Sequence, residues 1–196
     1  MGNRELTIAV LALQGAFIEH EHILAQIGVK AFEIRQLADW KQPKDGLIIP
    51  GGESTTQLKL LKDLELLQPI REAILDGMPV FGTCAGLILL AKSVEGEDFD
   101  RISTMDIDVC RNAYGRQTGS FYTEATVEKV GEKVPMTFIR APYINKVTAS
   151  NCKVLATVGG HIVAARQGNQ LVTAFHPELN QDTRIHEYFL KMIKEG

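Results

Sequence analysis

The pattern Gly82-x-Cys84-x-Gly86 lies between a short apolar run at residues 80–81 and a longer one at 87–92. This is the thiol form of a nucleophile elbow, in which a sharp strand-to-helix turn exposes one side chain at the carboxyl edge of a sheet. Side chains two residues either way would collide across such a turn unless they were very small, which accounts for the paired glycines. The sulfur also faces unpaired N–H groups at a helix start, and these favour thiolate over thiol. A thiolate nucleophile needs a proton shuttle, and the shuttle needs a third group to fix its tautomer. Phe175-His176-Pro177-Glu178 supplies both at the end of an apolar run. His176 is predicted as base and later acid, with Glu178 orienting it and Pro177 ending the strand. Attack of sulfur on an acyl carbon puts charge on the acyl oxygen, where backbone donors must already be waiting. Pro50-Gly51-Gly52-Glu53-Ser54 follows one strand-like run and opens a helical one, so Gly52 together with the N–H of Ala85 is the expected oxyanion hole. A phosphate cradle is the competing reading of the glycine turn, but the G-x-x-x-x-G-K-[ST] pattern is absent.

Other reactive residue types do not assemble in this way. Cys110 and Cys152 lack flanking glycines and a following apolar helix, and read as small buried hydrophobes. Three widely spaced cysteines argue against a disulfide framework and a C-x-x-C metal site, and fit a reducing cytoplasm. His20 and His22 stand two apart on a helix, face nearly opposite ways and make a poor metal pair. His161 lies in a Gly-Gly-His turn and His186 in the last helix. None of these four histidines is assigned a catalytic role.

The elements that must position the reactive groups alternate between strand-like and helix-period segments, the mark of strands joined by crossover helices. Strands are expected at residues 6–13, 29–34, 46–49 and 80–81. Helices are expected at 16–27, at 55–75 with a break near Pro69, and at 87–92. Beyond Gly96 the runs shorten, at 105–109, 121–127, 136–139, 154–158, 162–166 and 171–175, and look more antiparallel. Asp182 or Thr183 can cap a final helix over 184–194. The fold class is α/β: three layers, a mostly parallel central sheet flanked by helices, and an antiparallel extension.

A chain of 196 residues, 45% hydrophobic and 23% charged, can bury a core without staples and is expected as one domain over 1–196. A formal charge of −3 gives no field that would gather nucleic acid or an anionic bilayer. Neither a signal peptide nor an apolar stretch of membrane-spanning length is read.

With these pieces placed, the chain resembles the class I (triad) glutamine amidotransferases, which share a flavodoxin-like sheet. Within them it is similar to the PdxT/YaaE-type glutaminase subunits of pyridoxal 5′-phosphate synthase. Six blocks carry the resemblance: Leu11-Ala12-Leu13-Gln14-Gly15, Pro50-Gly51-Gly52-Glu53-Ser54-Thr55, Phe81-Gly82-Thr83-Cys84-Ala85-Gly86, Arg111-Asn112-Ala113-Tyr114-Gly115-Arg116-Gln117, Phe138-Ile139-Arg140-Ala141-Pro142 and Phe175-His176-Pro177-Glu178. The resemblance implies hydrolysis of L-glutamine to glutamate and ammonia through a γ-glutamyl thioester, with no metal or nucleotide cofactor. It implies that Gly52, Glu53, Ser54, Arg111, Ile139 and Arg140 surround the substrate. It also implies that the partner is a (β/α)₈-barrel synthase subunit in a large hetero-oligomer, docked on the side of Gln14, Glu19 and His20. Ala12, Cys110 and Tyr143 depart from the pattern, standing where glycine, an acidic residue and histidine are expected. The alternatives are a glutaminase serving another synthase, such as imidazole glycerol phosphate synthase, and a non-catalytic regulatory subunit.

Overall fold

The computed structural model describes residues 4–111 and 119–196. Strands and helices alternate through the first half: β1 (Thr7–Leu11), α1 (Phe17–Gln26), β2 (Lys30–Ile34), α2 (Leu37–Trp40), β3 (Gly46–Ile49), α3 (Ser54–Asp63), α4 (Leu67–Leu75), β4 (Val80–Thr83) and α5 (Ala85–Leu90). Strands then dominate: β5 (Ala91–Val94), β6 (Met105–Cys110), β7 (Ser120–Val127), β8 (Gly131–Ile139), β9 (Tyr143–Val147), β10 (Cys152–Val158), β11 (His161–Gln167) and β12 (Gln170–Thr173). A 3₁₀ turn at Pro177–Leu179 leads to the closing helix α6 (Arg184–Glu195).

The main sheet runs β2-β1-β3-β4-β12-β11-β9-β6-β5, with β10 pairing β11 off that path. From β2 to β12 all neighbours are parallel. Beyond β12 the pairs β12-β11, β11-β9 and β9-β6 are antiparallel, and β5 rejoins β6 in parallel. The parallel part has the 2-1-3-4 order of a flavodoxin-like sheet, closed by the last strand of the chain. The expected three-layer α/β architecture with an antiparallel extension is therefore the observed one. β7 and β8 form a separate hairpin.

Parallel strands covered on both faces read as continuous apolar runs, and β3 and β4 are buried at all four positions each. Alternation along β4 sorts the two helical layers. The Phe81 ring faces α1 and α6, meeting the rings of His20, His186 and Phe189 at centroid distances of 5.9, 5.5 and 5.6 Å. Gly82 faces α5, where an added Cβ would come within 2.9 Å of the Leu90 side chain.

The structure corrects two boundaries, adds a strand and identifies the cap of the last helix. The long helical stretch breaks before Pro69, at residues 64–66, where Glu65 takes a φ of 57°. Pro69 instead sits in the first turn of α4, where the missing N–H costs no intrahelical bond. The apolar run from Leu87 is helix only to Leu90 and continues as β5, a division that periodicity cannot make in a short apolar segment. β9 was not expected: only Ile144 among its five residues is buried, so it carries no apolar alternation. At the start of α6 the capping acceptor is Asp182, whose Oδ1 takes the Arg184 N–H at 2.9 Å. Among the described residues no helix is long and apolar enough to cross a membrane.

Phe189 is fully buried between α6 and β4. Phe189→Ala is expected to cost about 3–5 kcal/mol, read as a lower urea midpoint at unchanged slope.

Candidate active site

Cys84 joins β4 to α5 at φ 48°, ψ −99°. A non-glycine residue held there costs of order 1–3 kcal/mol, so its surroundings must impose the geometry. They do so by close backbone approach. A Cβ on Gly86 would overlap the Ile49 carbonyl oxygen, and one on Gly82 would stand 2.8 Å from the Gly86 carbonyl carbon. The Cys84 N–H donates to the Thr173 carbonyl at 2.8 Å, tying the turn to the end of β12.

That tie brings the second chemical group in. Thr173 pairs with Thr83 across the parallel β4-β12 ladder, so the chain leaving β12 runs beside the elbow. The His176 N–H donates to the Thr137 carbonyl of β8 at 2.8 Å, which anchors the segment from its other side. Pro177 opens the 3₁₀ turn that swings Glu178 back, and His176 Nδ1 stands 2.6 Å from Glu178 Oε1. The imidazole also interacts with the Cys84 thiol. Burial works against a charged imidazole here, but the hydrogen bonds to Cys84 and Glu178 and the charges of both outweigh it and raise the His176 pKa to about 10. The three expected residues thus form one line at the carboxyl ends of β4 and β12.

The glycine turn after β3 closes over this line. Gly51 leaves room only for hydrogen, since an added Cβ would overlap the His176 ring. Gly15, at φ 101°, lets the β1 loop approach the Gly51 carbonyl, which accepts the Ala16 N–H at 2.9 Å. Gln14 Oε1 accepts the Glu53 N–H at 2.7 Å. The buried Gln57 amide donates to the carbonyls of Gln14 and Pro50 at 2.9 and 3.1 Å and locks the two loops together.

A cleft of about 620 Å³ opens above Cys84 and His176. Gly52, Glu53, Ser54, Arg111, Ile139 and Arg140, the residues expected around the substrate, all line it. Gln14 lines it as well, so this residue belongs to the cleft wall. Ala85, at the first position of α5, is buried beneath the sulfur. Glu19 is partly exposed on α1. His20 does not face a partner: it is fully buried, because it lies three and four residues before Ile23 and Leu24 on the inward stripe of α1. In the block that begins at Arg111, residues 112–117 lie outside the described residues.

Two further groups were missed in the sequence. Glu97 pairs with both Arg111 and Arg101, and so fixes the guanidinium that enters the cleft. Gln57 looks like an ordinary polar residue, although its place beside Leu58 and one turn before Leu61 marks it as inward-facing. The departures from the resemblance lie apart from the triad. Ala12 is buried, and the Tyr143 ring stacks on His161 at 4.0 Å. Burial raises the Cys110 thiol and pushes Cys152 up to about 11, so neither is a ready nucleophile.

Over residues 10–195 the chain matches the SNO glutamine amidotransferase family. It is 57% identical over 193 residues to the PdxT component of pyridoxal 5′-phosphate synthase from Streptococcus pneumoniae, a match that covers 97% of this chain and 99% of that protein. A solved glutamine amidotransferase superposes with a TM-score of 0.89 at 40% identity, over 95% of this chain and 98% of that one. A glutamine amidotransferase of Thermotoga maritima shares the fold, with a TM-score of 0.65 at 15% identity over 98% of this chain and 86% of that one.

Because a methyl group on Gly51 would displace the imidazole from the sulfur, Gly51→Ala is expected to slow alkylation of Cys84 by iodoacetamide at neutral pH by about tenfold, the weight of one charged hydrogen bond. An unchanged alkylation rate would show that the loop yields instead of the imidazole.

Proposed function

Because the chain belongs to the SNO glutamine amidotransferase family, we propose that it is the glutaminase subunit of a pyridoxal 5′-phosphate synthase. In this reading it releases ammonia from L-glutamine and passes it to a synthase subunit. The observation that carries the reading is the line from Cys84 through His176 to Glu178 beneath a cleft of substrate size. The name printed for the Streptococcus pneumoniae relative supplies the pathway.

Cys84 sulfur attacks the side-chain carbonyl carbon of glutamine, and the oxygen takes up charge facing the N–H groups of Gly52 and Ala85. As the intermediate collapses, the His176 imidazolium gives its proton to the departing nitrogen, which leaves as ammonia. The γ-glutamyl thioester that remains is opened by a water whose proton returns to His176, and glutamate leaves. In this reading Arg111 and Arg140, which line the cleft, hold the substrate α-carboxylate, and Glu53, which lines it too, the α-ammonium. Ser54 and Ile139 complete the wall.

The partner is a (β/α)₈-barrel synthase subunit within a large hetero-oligomer in the cytoplasm. It covers the cleft mouth, where Ile139 and Leu179 are 43% and 42% exposed and Gln14 lines the wall, with Glu19 on α1 as a further contact. Covering that mouth keeps ammonia from water.

Glutamate release from L-glutamine, assayed with and without a barrel synthase subunit, tests both halves of the reading. Activity stimulated by the partner and abolished in Cys84→Ala is the expected result. Activity that needs Cys84 but ignores this partner would assign the chain to another synthase, and activity surviving Cys84→Ala would overturn the mechanism.

The pH dependence follows from the proton on His176. That proton is present below the raised pKa of about 10 and is lost above it. Glutamate release is therefore expected to persist into the alkaline range and to decline as pH rises through about 10, instead of falling near the ordinary histidine value of about 6.5.

A further inference from the structure

Behind the triad, the inward face of α1 carries a polar arrangement that the proposed reaction does not use. Glu178 is completely buried, and its Oε2 has no hydrogen-bond partner among the described residues. His20 Nε2 stands 3.6 Å from it. The same nitrogen lies 3.3 Å from Thr83 Oγ1 on β4. On its other side His20 Nδ1 stands 2.8 Å from His186 Nε2 on α6. His186 Nδ1 is in turn buried without a partner among the described residues.

Thr83 Oγ1 can either donate to or accept from His20 Nε2, so these contacts admit two tautomers of His20, and the carboxylate favours one of them. Burial, then the charges of His186 and His176, push the His20 pKa well below its ordinary value, and burial alone lowers His186 to about 3. Both rings are neutral, so each has one N–H and one lone pair. A carboxylate oxygen favours a donor opposite it, which places the His20 proton on Nε2. Nδ1 of His20 then accepts from the Nε2–H of His186. The lone pair left over falls on His186 Nδ1, the atom that lacks a partner.

We propose that His20, held in one tautomer by His186, is a positioning residue that aims its Nε2–H at Glu178 Oε2 and so fixes the carboxylate against His176. The line then runs from α6 through α1 to the nucleophile: His186, His20, Glu178, His176, Cys84. A carboxylate secured at one oxygen alone can rotate, and its hold on the His176 ring weakens with it. The 3.6 Å separation is slightly longer than a hydrogen bond and closes with a few tenths of an ångström of side-chain movement. This inference rests on the triad proposed above.

The test compares three variants of the full chain in the presence of a barrel synthase subunit, with Cys84→Ala alongside. His20→Leu removes the donor. His20→Gln returns an amide N–H to the Nε2 position facing Glu178, whereas His20→Asn returns one only to the Nδ1 position facing His186. Readouts are kcat and KM for glutamate release and the pH dependence of Cys84 alkylation by iodoacetamide. The titratable groups facing His20 are His186 from α6 and Glu178 and His176 from the segment after β12. On its own helix, His22 is exposed.

In His20→Leu and His20→Asn kcat is expected to fall roughly ten- to hundredfold, the weight of one hydrogen bond to a charged group, with KM nearly unchanged. The alkylation profile should move to higher pH as the imidazolium loses its support. His20→Gln should recover most of both. If His20→Leu does not fold, the Asn and Gln pair decides alone. Equal activity in Asn and Gln, or an alkylation profile that does not move, would overturn the proposal and leave His20 as a packing residue. Activity that survives Cys84→Ala would instead bring down the triad on which it rests.

Discussion

The site depends on one backbone contact, the approach of Gly86 to the Ile49 carbonyl at the end of β3. Only hydrogen fits there, so the first turn of α5 sits directly on the neighbouring strand. That seat leaves the Cys84 backbone at a positive φ, with its N–H fastened to Thr173 of β12. Three adjacent strands are drawn together by this contact, and each contributes one part: β3 the glycine turn, β4 the thiol, β12 the histidine. The strand order makes the convergence possible, because a sheet that places the last strand beside β4 joins residues almost a hundred positions apart. The strain at Cys84 is sustained by the packing of four fully buried β4 residues.

Electrostatics sorts the cleft into two ends. At one, Glu178 is a carboxylate with no exposure, tolerable because His176 answers it at 2.6 Å and the imidazolium is raised in return. At the other, Glu97 lies between Arg101 and Arg111, two cations on one carboxylate. Burial lowers the Arg101 pKa, and the Glu97 charge opposes the effect. In the proposed reaction the first cluster handles a proton. The second moves none, and serves to hold a guanidinium still where an anionic group can meet it.

How much of this is legible in the chain depends on whether the cause is local. Gly82 can be read from the sequence because its steric reason, the Gly86 backbone, lies four residues away, and Phe175-His176-Pro177-Glu178 because a proline fixes the spacing; Gly86 is legible from the elbow pattern, although the group it makes room for, the Ile49 carbonyl, comes from β3. The parallel half follows from continuous apolar runs. Causes that act across the fold are harder to read. Glu97 sits in a polar stretch that looks solvated, and only the β5-β6 pairing brings Arg111 to it. His20 carries a readable sign, its position on the Ile23 and Leu24 stripe, but its partners come from β4, α6 and the turn after β12. The end of α5 at Leu90 has no local sign either, since Ala91, the first residue of β5, continues the apolar run and the polar Lys92 and Ser93 follow only within the strand.

The two halves of the sheet divide the work. In the parallel half, backbone does most of the shaping: the Gly15 and Gly51 approach, the Gln57 amide spanning two loops, and the Gln14 side chain on the Glu53 N–H fix the wall before any substrate arrives. Catalysis of acyl transfer requires this, because donors that had to reorganise as charge develops would forfeit their advantage. The antiparallel side supplies side chains, with Arg111 at the end of β6 and Ile139 and Arg140 at the end of β8. Under the proposed reading these are the groups that distinguish one amide from another by what its α-carbon bears. Changes on that side would alter which substrate is held while leaving the thiol chemistry intact. Changes at the parallel edge reach the nucleophile itself, because every loop there leans on another.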